Sequence, residues 1–287
     1  MSYEELLTEL AVNDERYIVM TAENRALIRN LPAKLGNRFV DTGITEQTMV
    51  GAAAGLAMRG RIPVLHALAS FLSMRAFEFV RTDAGIPNLP VKLSAFIPGF
   101  LSDGNGATHQ AIEDVAIMRG IPNVTVFAAA DEQDLVGMIE TIWNSPNPAY
   151  LRINTRKTDY QHTPFEIGKA EVISEGADVT ILTYGLLFEQ ALIATQILKV
   201  AASSKLLVTL EDHFNTGGLY SIVAETLLKH GQSAKVMPYG LDKWFKPALL
   251  PEVLAYEGFT GKQIAEKILG YTTNAVQPTI VTPEFAE

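Results

Sequence analysis

Short runs of β-branched and aliphatic residues alternate with helix-period segments along almost the whole of this 287-residue chain. Strand-like runs occupy 17–20, 62–68, 91–97, 124–128 and 149–153, with helical patterns over 46–58, 71–83, 108–118 and 132–143 between them. Asp131 stands just ahead of the last of these helices as a good N-cap. Strands separated by helices of that length imply crossover connections, so the sheet is expected to be mostly parallel with helices on both faces. A polar, irregular stretch over 157–169 reads as a linker, after which the alternation restarts. It gives a strand at 178–184, a helix to about 200, a strand at 206–211, a helix after Gly217-Gly218 and a strand at 234–237. A last helix over 262–269 opens on a capping box formed by Thr260 and Gln263. The expected fold class is therefore α/β, with two tandem domains at 1–156 and 170–272 and a tail over 273–287.

Composition narrows the function classes. A chain that is 48% hydrophobic and 19% charged can bury a large core. Its net charge of −9, with no Lys/Arg cluster, argues against a nucleic-acid partner. With no cysteine, disulfides, thiolate metal sites and thiol nucleophiles are ruled out. The start Met1-Ser2-Tyr3-Glu4-Glu5 has no apolar signal core, and no run approaches the roughly 20 apolar residues that span a bilayer. The expectation is a cytoplasmic protein without a membrane partner.

Three constellations are candidates for chemistry. In the first, Gly43 turns the chain so that Glu46 opens a helix of very small residues, Val50 to Ala57, which lets a flat ligand or another backbone come close. Glu46 could equally do no more than complement the helix dipole, worth about 0.3–1 kcal/mol. The second is Ser70-Phe71-Leu72-Ser73-Met74-Arg75-Ala76-Phe77, where Phe71, Met74 and Phe77 share a helical face that ordinarily means core packing. The third is the glycine loop Asp103-Gly104-Asn105-Gly106, leading into a segment whose first turn carries His109. Alone, such a loop is weak evidence for an anion cradle.

Taken in order, these blocks resemble the C-terminal half of transketolases and of their split relatives encoded as two chains. The same half occurs in deoxyxylulose-phosphate synthases and in 2-oxoacid dehydrogenase β-subunits. The resemblance runs over 17–269 and implies a pyrimidine-binding domain followed by a transketolase C-terminal domain. It implies thiamine diphosphate as cofactor, an electron sink for carbon–carbon cleavage. Glu46 then matches the glutamate that bonds a nitrogen of the aminopyrimidine and exchanges a proton with it. Phe71 matches the aromatic that packs on that ring, and Phe77 falls near a second one. His109 matches a histidine that contacts the substrate.

Gly-Asp-Gly, the segment that holds the diphosphate and its Mg²⁺ in this family, is missing here. The resemblance therefore implies an N-terminal, diphosphate-binding partner subunit that holds the Mg²⁺, in an α2β2 assembly. The sugar-phosphate contacts are also depleted. Ile97 stands where a phosphate-contacting histidine is expected, Leu27 near an expected serine, and Asn105 in place of an aspartate. Arg156, with Arg152 as the alternative, remains as a candidate for an anionic group. Poor phosphate recognition points to an unphosphorylated ketose or a 2-oxoacid as substrate. The leading expectation is a transketolase-like subunit moving a two-carbon ketol unit. The alternatives are a β-type subunit of a 2-oxoacid decarboxylating complex that acylates a carrier, and a non-catalytic scaffold. Retention of Glu46 argues against the last. The short Val200–Ser204 connection implies a reduced second domain, and Glu211-Asp212-His213 reads as a structural corner of it.

Overall fold

A computed structural model describes residues 1–176, 178–198 and 206–273. The first sheet is parallel throughout, with order β2-β1-β3-β4-β6-β5. Its strands are β1 (Tyr17–Thr21), β2 (Phe39–Asp41), β3 (Ile62–Leu68), β4 (Lys92–Phe96), β5 (Thr125–Ala128) and β6 (Ala149–Arg152). Central strands β1, β4 and β6 are buried almost end to end, as expected of a sheet covered on both faces. Period-two alternation divides their side chains between two cores. Ile18, Met20, Leu65 and Ala67 face a cluster with Met49, Val50, Ala53 and Ala57 of α3 (Glu46–Met58). Tyr17, Val19, Ile62 and Val64 face the other, with Leu7 and Ala11 of α1 (Tyr3–Asn13) and Ile142 and Trp143 of α6 (Glu132–Asn144).

Helix α1 and strand β2 are absent from the sequence reading. Tyr3, Leu7 and Ala11 at four-residue spacing, with a capping box of Ser2 and Glu5, are ordinary helix signals. Strand β2 has only three residues, none of them buried, which is too short for periodicity to register. Between β1 and β2 lies a short helix, α2 (Leu31–Leu35). The Asp131 cap is present, with the Asp134 N–H donating to Asp131 Oδ1 at 2.9 Å.

Two expected helices differ. The 71–83 segment is a run of wide turns, π-type over Phe71–Arg75 and Val80–Gly85, interrupted by the short α4 (Phe77–Phe79). The Ala76 N–H reaches back five residues to the Phe71 carbonyl. Over 108–118, only α5 (Asp114–Arg119) is helical.

A second sheet, order β7-β8-β9 and parallel, contains β7 (Val179–Thr183), β8 (Leu206–Phe214) and β9 (Val236–Leu241). Helices α7 (Phe188–Leu198), α8 (Leu219–Lys229), α9 (Leu250–Tyr256) and α10 (Gly261–Thr273) accompany it. The expected capping box of α10 is present, Gln263 Oε1 accepting from the Thr260 N–H and Thr260 Oγ1 from the Gln263 N–H. The core of this half also takes in Phe100 and Ile112 from the first half. The Val200–Ser204 connection and the tail beyond Thr273 lie outside the described residues.

Candidate functional site

Strand order reverses at β1 and β3, since the chain moves from β1 outward to β2 and then returns past β1 to β3. Such a switch opens a crevice beyond the carboxyl ends of the strands. Glu46 opens α3 just after β2, Phe71 follows β3, and the loop bearing His109 follows β4. Three separated sequence blocks are thereby delivered to one end of one sheet.

Glu46 is 1% exposed although it sits in the first turn of its helix. Its Oε2 accepts from Arg75 Nη1 at 2.8 Å. The Arg75 guanidinium lies over the Phe71 ring, 3.9 Å from the centroid. His109 meets the Phe71 ring at 5.1 Å and 64°, an edge-on contact. Glu46, Arg75, Phe71 and His109 thus form one chain of contacts. Arg75 is not among the candidate residues that the sequence offers. The signal that could have found it is its spacing, four residues after Phe71, which puts the two side chains on one face of a helical turn.

His109 lies in a turn, with its N–H bonded to the Gly106 carbonyl at 2.9 Å, and not in the first turn of a helix. Its Nδ1 is 2.9 Å from Thr108 Oγ1. Asn105 is exposed on the same loop and donates from Nδ2 to the Ser102 carbonyl at 3.1 Å. Phe77 packs, half-buried, against the first core and makes no ring contact with the Glu46 group.

Neither arginine offered for an anion joins that group. Arg152 is buried in an ion-pair network, with Nε on Asp114 at 3.1 Å and Nη1 on Asp212 at 2.9 Å, so its charge is already matched. Arg156 is exposed, 3.8 Å from Glu189, and lines a cavity of about 300 Å³ with Leu186, Gln190 and Leu254. Glu46, Phe71 and His109 are not among the residues lining that cavity. Among the described residues no group of His, Cys, Asp and Glu is arranged to hold a metal, and no helix is long and apolar enough to cross a membrane.

An aromatic face, a buried carboxylate beside it and an imidazole at its edge form a donor set suited to a planar heterocycle with ring nitrogens. Glu46 can bond a ring nitrogen and Phe71 can stack on the ring, so the residues present fit an aminopyrimidine.

Comparison with known proteins agrees. Residues 1–161 match the family model "Transketolase, pyrimidine binding domain". The chain is 33% identical to a transketolase C-terminal section protein of Methanocaldococcus jannaschii, over 93% of this chain and 94% of that one. It is 32% identical to a 6-deoxy-6-sulfo-D-fructose transketolase subunit of a Clostridium species, over 79% of each chain. Among solved structures, a split-gene transketolase described as an inactive β4 tetramer superposes with a TM-score of 0.82 at 30% identity. That match covers 93% of this chain and 97% of the other. The fold, the site blocks and these relatives agree that the chain belongs to the transketolase family, as a C-terminal subunit of the split type that carries the pyrimidine-binding domain.

Proposed function

We propose that this chain supplies the pyrimidine half of a thiamine-diphosphate site in a transketolase-like transferase, completed by a separate N-terminal subunit in an α2β2 assembly. The observation that carries the reading is Glu46, buried at the start of α3 and linked through Arg75 to the ring of Phe71. Thiamine diphosphate supplies the electron sink that lets a carbon–carbon bond next to a carbonyl break. Glu46 bonds a pyrimidine nitrogen and gives or takes the proton there. Phe71 holds the ring by stacking and excludes water. His109, edge-on to Phe71, contacts the substrate at its hydroxyl or carbonyl end. Diphosphate and Mg²⁺ are assigned to the partner subunit.

Exposed apolar side chains just before α3 and on the neighbouring turns support that assembly. Ile44 is 63% exposed, and Met74 and Phe79 are also exposed. A patch of this kind beside a half-formed site suits a subunit contact. The donor is proposed to be an unphosphorylated ketose or a 2-oxoacid. Ile97 and Asn105 bring no cation, Arg152 is spent on Asp114 and Asp212, and Arg156 points its charge at Glu189.

Calorimetry of thiamine diphosphate with Mg²⁺ tests the reading, on the chain alone and with its co-purified partner. Binding by the pair only, abolished together with activity by Glu46→Ala, is expected. No binding by the pair would remove the catalytic role, and activity surviving Glu46→Ala would point to a scaffold. A strong preference for phosphorylated ketoses would overturn the substrate proposal.

A further inference from the structure

The segment that carries Asn105 and His109 belongs by sequence to the first half, yet it is gripped by the second. Leaving β4, the chain passes Ile97 at φ 47° and Gly99 at φ 55°. A β-branched residue in that left-handed region is strained and persists only where its surroundings hold it. The hold is visible. The Phe100 N–H donates to Asp212 Oδ2 at 3.3 Å, and a Cβ on Gly99 would lie 1.8 Å from the same oxygen. The Phe100 ring is buried between Phe245 and Phe259, at 5.1 and 4.9 Å.

At the other end, the Phe214 N–H donates to the Ile112 carbonyl at 2.8 Å. The Ala116 N–H donates to His213 Nε2 at 3.3 Å, while His213 Nδ1 lies 2.7 Å from the Phe214 carbonyl. Those contacts assign His213 the neutral tautomer with its proton on Nδ1, and burial lowers its pKa in the same sense. Between the two ends, Gln110 is fully buried and donates from Nε2 to the Phe245 carbonyl at 2.9 Å. Its sequence neighbour is His109.

We propose that the second domain is the positioning element of the site, and that Gln110 is the positioning residue that sets His109 by tethering its turn to the Phe245 carbonyl. Asp212 secures the entry to the same segment. The proposal rests on the reading that His109 meets the substrate. A turn has no hydrogen-bond ladder of its own, so its side chain is only as well placed as its tethers. An error of about 1 Å in a catalytic group costs on the order of a hundredfold in rate.

The test uses Gln110→Met in the complex with the partner subunit, with Gln263→Ala as a control that weakens the α10 cap without touching the tether. Amide exchange over 106–110 is read first, then turnover of xylulose and xylulose 5-phosphate per bound thiamine diphosphate. For Gln110→Met, exchange should rise and kcat should fall by about tenfold or more, with cofactor affinity changed by less than about twofold. Gln263→Ala should lower Tm and leave both readings alone. Unchanged exchange, or raised exchange with unchanged kcat, would overturn the proposal. Should Gln110→Met not assemble, Asp212→Asn carries the same two readings. A wild-type complex that binds no thiamine diphosphate removes the functional reading, while the exchange result still decides whether the tether exists.

Discussion

At the scale of single residues, the site turns on which groups Glu46 and Phe71 face. Glu46→Gln keeps a hydrogen-bonding group of the same size and loses the proton exchange. Thiamine-diphosphate binding by the complex should survive within about tenfold, while turnover falls by on the order of 10²–10⁴, the usual span for a lost proton-transfer group. Equal losses in both would reduce Glu46 to a binding contact. Arg75 holds Glu46 Oε2 and also covers a face of Phe71, so a pyrimidine ring competes with it for both. Solvent reaches the Arg75 end of this pair, 36% exposed against 2% for Glu46, and screening there keeps its net contribution to about 0–1 kcal/mol. Arg75→Met should therefore tighten cofactor binding by no more than about fivefold. Weaker binding would mean that Arg75 stays and serves the ring directly.

At the scale of elements, the 97–116 segment that the second domain grips is held by the Arg152 network. One guanidinium bonds both Asp114 and Asp212, and the Tyr150 hydroxyl adds a bond to Asp114 at 2.8 Å. Removing the cation strands two buried carboxylates, and breaking a buried pair costs roughly 3–5 kcal/mol. Arg152→Met should lower the unfolding free energy of the chain, read by urea titration, by an amount of that order. A loss below about 1 kcal/mol would mean that water reaches the carboxylates. The wide turns after β3 belong to the same scale. The π-type turn over Phe71–Arg75 ends with Arg75 bonded to Glu46.

Across the whole molecule, the linker is pinned by His162. Its Nδ1 is 2.8 Å from Glu171 and its Nε2 is 3.3 Å from Asp131, the cap of α6. Burial alone would lower its pKa, but the bond to Glu171 and the charges of Asp131 and Asp134 outweigh this and hold it above the ordinary value of 6.5. A cation stabilised in the folded state contributes fully below pH 6.5 and is lost as pH rises through the raised pKa. The Tm difference between wild type and His162→Gln should be largest below pH 6.5 and shrink toward pH 8. A constant difference would show that the ring acts by packing alone against Tyr160 and Phe188.

Sequence alone determined the α/β alternation, because strand burial and helix faces are written in local periodicity. It also picked out Glu46, Phe71 and His109, in contexts that resemble the family, and the fold brings these three to one end of the first sheet. Strand β2 leaves no mark in the sequence because its three residues, two half-buried and one exposed, are too few for periodicity. His109 was expected on a helix because Ala111, Ile112 and Val115 mimic a helical face, whereas Ala111 and Ile112 are buried in different cores. Tertiary structure alone decided that Arg75 meets Glu46, that Arg152 is spent inside the protein, and that the second domain grips the His109 loop. Each of these depends on which oxygen a long side chain or loop finds far away in sequence. No local propensity encodes such a pairing; packing two sheets around one shared segment does.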